Sequence, residues 1–313
     1  MAKDVLVPIL PSAWNERTAR HLLNRVGFGV PRARVASLLN LGPAQAVNEF
    51  VDYESNSLDV TAPEYIPDEQ NYRGRRAEMA GLSEEEQRRA NREYTVRERA
   101  QVLQLRGWWI GRMATTPRPL QEKLALFWHG HFATSAQKVR PSLASYHLNA
   151  VFREHALGNV KTLTTAVGKS PAMLRYLDNF QNVKGRPNEN WARELMELFT
   201  MGPGNYSEQD IKESARAFTG WSHKGSEFVF NRRRHDDGKK TFLGRTSDFD
   251  GDDILGIIFE QRATAEFLCA KLFAYFTYAD PEAEIVSALA DTLRAHDYEL
   301  KPMLRQLFRS KVF

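Results

Sequence analysis

The stretch PLQEKLALFWHGH, Pro119 to His131, decides the fold class. Leu120, Leu124, Phe127, Trp128 and His131 recur at helical spacing and share one side, and Pro119 fits the first position of a helix because its fixed φ is already helical. Working outward, the same pattern repeats in both directions. Upstream, residues 17–26 align Ala19, Leu22, Leu23 and Val26, and 32–41 and 43–51 follow at short loop spacing. Downstream, helices are expected at about 142–156, 159–167, 171–178, 189–201, 208–220, 252–260, 264–278, 281–296 and 300–310. Strand signals are confined to EFVFN at 227–231 and KTFL at 240–243, on either side of RRRHDDGK. The reading is an all-α chain of many short to medium helices with one small β-hairpin.

The length of 313 residues, with 42% hydrophobic and 26% charged, suffices for a full apolar core and excludes collagen-like, disordered and disulfide-scaffold classes. Cys269 stands alone, so no intrachain disulfide forms, and its place in FLCAKLFAYF reads as core. Lysine and arginine number 43 against 39 acids, and the signs are interspersed, so the net +4 is too mild to argue for nucleic acid. The first apolar run, residues 5–10, is broken by Pro8 and followed by Pro11. It is too short for a signal peptide or a membrane span, and the expected compartment is the cytoplasm. Residues 1–313 read as a single helical domain with an irregular excursion at about 52–82 and a hairpin insertion at about 226–245. Ser83 heads a long helix to about 113. Its first half is charged all round and its second half carries Val102, Leu105, Trp108, Trp109 and Met113, so it is expected to project at one end and be buried at the other.

Dinucleotide, P-loop and nucleophile-elbow motifs are absent, and one cysteine cannot build a thiolate zinc site. Three polar clusters interrupt apolar faces instead. In Trp128-His129-Gly130-His131 the two histidines lie about 200° apart on a helix, so they converge only if the helix ends at Gly130. His131 falls on the buried stripe and is the better inward candidate, with a hydrogen-bonded core histidine as the bland alternative. In the run from Asn188 to Glu197, Asn190, Glu194 and Glu197 stack on one face beside Trp191 and Leu195, whereas Glu189, Arg193 and Glu197 form an i, i+4 charge ladder. An inward pair of carboxylates needs a cation, a shared proton or an arginine. His235 and Asp236, in the loop RRRHDDGKK, offer an imidazole and a carboxylate amid cations, or simply a solvated turn.

FWHGHFATS, PAMLRYLDN, NENWARELMELFTMG, YSEQDIKESARAFTGW and RRRHDDGKKTFLG occur in an order that resembles the bacterial family catalogued as domain of unknown function 1800. RHLLNRVGFG and RATAEFLCAKLFAYF extend the resemblance over nearly the whole chain. The family has no settled activity. The resemblance implies a histidine-tryptophan motif, an acidic helix and a His-Asp loop, here Trp128, His129 and His131, then Asn188, Glu189, Asn190, Arg193, Glu194 and Glu197, then His235 and Asp236. Relatives are often exported, sit beside a partner gene and continue past the position of Phe313, so the chain is expected to be a short or truncated member. Where this sequence has Phe199 relatives often carry a histidine, which weakens a metal reading here.

The leading expectation is a cleft in which the three clusters bind a divalent metal through His129, His131, Glu194, Glu197, His235 and Asp236. Nitrogen and oxygen ligands without thiolate suit Zn, Mn or Fe, and an open coordination position would activate water for hydrolysis. Glu189 or Glu194 would serve as general base, and Arg193 would stabilise negative charge. The alternative is a non-enzymatic binding or assembly protein in which the same residues form a structural salt-bridge network. A nucleic-acid surface built from Arg232 to Arg234 with the Arg-rich helix at Arg88–Arg99 is disfavoured by the interleaved Glu84, Glu85, Glu86, Glu93 and Glu98.

Overall fold

Local sequence sets most helix starts. The computed structural model describes residues 6–53, 63, 64, 79 and 81–313, so most of the excursion at 52–82 lies outside the described residues. Asn15 and Thr18 form a capping box that opens α1 (Glu16–Val26), and α2 (Arg32–Leu39) and α3 (Gly42–Val51) follow. Ser83 and Glu86 form a second box that starts α4 (Glu84–Thr115). At 1.5 Å per residue this helix is about 48 Å long. Only Glu98 and Leu105 are buried on it, and it rests against α5 (Pro119–His131) and α6 (Ser142–Glu154). Its second half is therefore covered along one side rather than sunk in the core: Trp108, Trp109 and Met113 are half-buried, whereas Leu103 and Ile110 are exposed.

Next come α7 (Val160–Lys169), α8 (Pro171–Tyr176) and α9 (Asn190–Glu194), which widens into a π-helical turn at Leu195–Thr200. Ser207 and Asp210 box the start of α10 (Glu208–Ala217). After the strands, Asp250 caps α11 (Gly251–Glu260), and α12 (Arg262–Phe276), α13 (Ala283–Ala295) and α14 (Leu300–Arg309) complete the described chain. Buried side chains of the helices form one continuous cluster that includes Trp128, Trp191, Phe132, Phe152, Phe273 and the free Cys269. The last helix packs back on α3. Among the described residues no helix is long and apolar enough to cross a membrane.

The strand pairing departs from the sequence reading. Both expected strands exist, as β2 (Glu227–Phe230) and β3 (Lys240–Phe242), but they are not partners. The first pairs backward with β1 (Trp221–Lys224) and the second forward with β4 (Arg245–Ser247), giving two separate antiparallel hairpins. Two-residue connections explain the choice. Leu243 and Gly244 have φ of +46° and +79°, the two positive values a type I′ turn needs, and so short a loop closes with less entropy loss than the polar run between β2 and β3.

Gly220 joins α10 to β1 at φ +84°, and a Cβ there would lie 2.6 Å from the Asn231 carbonyl oxygen and 3.3 Å from the His235 Cβ. Gly220→Ala is expected to lower the unfolding free energy by about 2 kcal/mol, from left-handed strain plus a backbone clash, read as a lower guanidinium midpoint. An unchanged midpoint would mean that this junction is looser than its contacts indicate.

Candidate functional site

The histidine motif lies at the end of α5. The helix does not stop at Gly130 but continues through His131, with Phe132 as its C-cap, so the two histidines diverge instead of meeting. His129 is exposed, its ring edge-on to Trp109 at 5.1 Å, beside a small cavity of about 140 Å³ that Ser145 and Asn149 also line. The neighbouring protein surface and the Arg106 charge hold its pKa below the usual value. Trp128 is fully buried and donates from Nε1 to the Ala156 carbonyl at 3.1 Å. His131 is only 8% exposed and sits in an aromatic box: it stacks on Phe127 and meets Phe132 edge-on at 4.7 Å, with Phe199 at 6.0 Å. Nε2 donates to the Phe199 carbonyl at 2.9 Å, and Nδ1 is buried with no protein partner. Burial, reinforced by the positive charge of Lys271, pushes the imidazole down to about 3, although the bond to Phe199 opposes the shift. At neutral pH the ring is uncharged.

That contact ties the first cluster to the second, but as a helix terminus. The last turn after α9 is π-helical, and its carbonyls are taken by side chains: Thr200 Oγ1 donates to Leu195 at 2.5 Å, Lys271 Nζ to Leu198 at 3.0 Å and His131 to Phe199. At the other end Asn188 Oδ1 accepts from the Asn190 backbone N–H at 2.9 Å, and Asn190 itself is exposed. Arg193 makes only half of the expected ladder. It reaches Glu189 at 3.2 Å, but its main partner is Glu208 at the start of α10, held by two bonds of 2.8 and 2.9 Å, and not Glu197. The Glu208 bidentate geometry outcompetes Glu197 because the π turn takes residue 197 off the i, i+4 register. Glu197 instead accepts a long 3.5 Å bond from the Tyr206 hydroxyl. Glu194 is half-buried and has no hydrogen-bond or ion-pair partner among the described residues. Burial first, then the Glu197 charge, raises its carboxyl, while Arg193 opposes.

The third cluster closes the far end of α10. His235 is 5% exposed, with Nδ1 at 2.9 Å from the Thr219 carbonyl, and Phe230 packs edge-on to its ring at 5.1 Å. The Asp236 backbone N–H donates to Thr219 Oγ1 at 2.8 Å. Its carboxylate is gripped by Arg216 of α10 at 2.9 and 3.3 Å and accepts from the Gly238 N–H. The Arg216 hydrogen bonds hold the Asp236 carboxyl below its ordinary value. Lys240, fully buried, donates to the Asp236 carbonyl at 2.5 Å, and burial lowers its pKa.

The structure therefore places the sequence-selected residues in a sequence of helix-end clamps: His131 on the end of α9, Arg193 across to the start of α10, and His235 with Asp236 on the end of α10. Among the described residues no three His, Cys, Asp or Glu side chains lie close enough together to hold a metal ion. The expected pool of His129, His131, Glu194, Glu197, His235 and Asp236 does not form one ligand set. The reason is local: Arg193 is taken by Glu208, Asp236 by Arg216 and His131 by the Phe199 carbonyl.

Sequence reasoning missed a buried ionic centre. Glu122 of α5 is fully buried and accepts from Arg153 at 2.6 and 3.3 Å, from Arg112 at 2.5 Å and from Trp109 Nε1 at 2.9 Å, joining α4, α5 and α6. Arg153, itself 4% exposed, also donates to Asn149 at 2.6 Å and lies over the Trp108 ring. Glu122 lies about 200° around the helix from Leu120, off the apolar stripe, so one-sided periodicity gives no sign of its burial. The only hint was the unusual Trp108-Trp109 pair that covers it.

A family model described as protein of unknown function (DUF1800) matches residues 21–313. The chain belongs to this family. No curated protein and no solved structure matches it.

Proposed function

We infer that this chain is a non-enzymatic binding or assembly protein. The observation that carries the reading is the local neutralisation of the family-type polar residues: Arg193 by Glu208 and Glu189, Asp236 by Arg216, and His131 by an aromatic box and one carbonyl. Such groups fix how helices meet. A hydrolase reading draws on Glu194, whose raised, unpartnered carboxyl beside Glu197 suits a general acid or base.

Elemental analysis after dialysis against zinc, manganese or iron salts separates the two. The assembly reading expects no stoichiometric metal, and it expects Asp236→Ala to lower the unfolding free energy by about 1–2 kcal/mol because Arg216 loses one of its two counter-charges and keeps only Glu213. One metal per chain that disappears in Glu194→Ala would overturn it.

A further inference from the structure

The long helix α4 carries a surface that the other described residues do not cover. Val96, Leu103 and Ile110 are 67%, 67% and 64% exposed and recur every seven residues. Ala100, Gly107 and Ala114 fall between them at the alternate four-residue steps, so the six positions form one seam on the face opposite buried Glu98 and Leu105. From Val96 to Ala114 this seam runs about 27 Å. A Cβ at Gly107 would meet nothing within 4 Å, so packing inside this chain does not call for glycine there. A solvent-facing glycine in a helix interior costs about 1 kcal/mol relative to alanine, whereas it lets a second helix approach closely.

Charge along the seam says what covers it. Arg99 and Arg106 flank it one turn pair apart, both exposed and without a partner among the described residues. They also line a groove of about 600 Å³ between α4 and the 136–140 segment, with Leu103 on its rim and Arg140 across it. Arg140 donates to the Thr95 hydroxyl, and Arg97, on the other flank, lies over the Tyr94 ring at 5.7 Å. The ion pairs within this helix lie toward its start, Arg88 with Glu84 and Arg89 with Glu93, and Arg112 near its end pairs with buried Glu122 of α5. We propose that the Val96–Ala114 face of α4 docks an acidic amphipathic helix of a partner protein, whose apolar side chains cover Val96, Leu103 and Ile110 and whose carboxylates meet Arg99, Arg106 and Arg140. This rests on the assembly reading and names its contact surface.

A second copy of this chain is the poorer occupant. In an antiparallel pair the Arg99 and Arg106 rows face one another, and in a parallel pair Arg92 and Arg99 meet Arg97 and Gln104, so no acid is supplied in either arrangement. An acidic helix satisfies the same cations while burying the same seam.

The probe is a synthetic three-heptad peptide with Ile and Leu at its a and d positions and Glu at e and g, compared with its counterpart carrying Lys at e and g. The full chain is titrated with each, labelled, and followed by fluorescence anisotropy at low and moderate salt. The acidic peptide is expected to bind at least about ten-fold more tightly than the lysine peptide. Leu103→Asp should weaken that binding by a similar factor while leaving circular dichroism and the denaturation midpoint unchanged, because Leu103 faces solvent. Arg99→Glu with Arg106→Glu should reverse the peptide preference. Absence of binding, equal binding of both peptides, or a chain dimer that Leu103→Asp dissociates would overturn the proposal. A missing peptide interaction without bound metal overturns this surface and leaves the assembly reading standing, whereas stoichiometric metal removes that reading whatever the peptides do.

Discussion

Glu122→Gln should lower the unfolding free energy by about 3–5 kcal/mol, because it leaves the guanidinium of Arg153 buried and that of Arg112 largely buried without a counter-charge. The amide keeps the shape of the carboxylate and can still accept hydrogen bonds, so the loss is electrostatic and not a cavity effect. Burial alone would raise the Glu122 carboxyl, but the bonds and charge of Arg153, with help from Arg112 and Trp109, outweigh it and the net pKa is lowered. The stabilisation is therefore present above the ordinary carboxylate range and is lost as pH falls through the depressed folded-state value. Guanidinium denaturation at neutral pH gives the magnitude. A loss below about 1 kcal/mol would mean that water reaches the centre and screens it, as it does at surface pairs. Replacing Glu122 and Arg153 together by Leu and Met should recover part of the loss, since it removes two of the three charges and leaves only the partly exposed Arg112 unpaired.

His131→Gln is expected to flatten the response to mild acid. The wild-type imidazole has a folded pKa of about 3 against 6.5 in the unfolded chain, so between those values the unfolded state holds a proton that the folded state does not. Stability then falls as pH falls, by about 1.4 kcal/mol per pH unit from this residue, and the contribution is fully present only above pH 6.5. Comparing variant and wild type between pH 6.5 and 5, above the range where carboxylates titrate, should show a difference of about 2 kcal/mol in the change. Glutamine retains a donor for the Phe199 carbonyl, so the neutral-pH stabilities should stay closer than the slopes. Parallel pH profiles would show that His131 opens to solvent before the helix end unfolds.

Helix placement was legible because it rests on local information. The Asn15, Ser83, Ser207 and Asp250 caps and the Leu120–His131 stripe need no knowledge of distant neighbours. Pairing was not legible. EFVFN and KTFL look like partners on either side of a polar loop, yet β1, the segment WSHK, carries no alternation that would announce it, and the Leu243-Gly244 turn decides for β4. The expected ligand residues do not meet in one set, and the reason lies in partners outside the three clusters. The sequence marked Arg193, His235 and Asp236, while Glu208 and Arg216, which pair with Arg193 and Asp236, lie on α10, and Thr219, whose carbonyl meets His235, follows its end. Glu197 lost its expected arginine to the π turn, which no i, i+4 count anticipates. His131 took the bland role of a core histidine, with the Phe199 carbonyl as its partner.

Because α10 is held by Arg193 at its first turn and by Asp236 at its last, the ends of this helix are not free to fray one at a time. Fraying at the first turn breaks the tie to the acidic helix and fraying at the last breaks the tie to the His-Asp loop, so opening either end of α10 costs contacts beyond the helix itself.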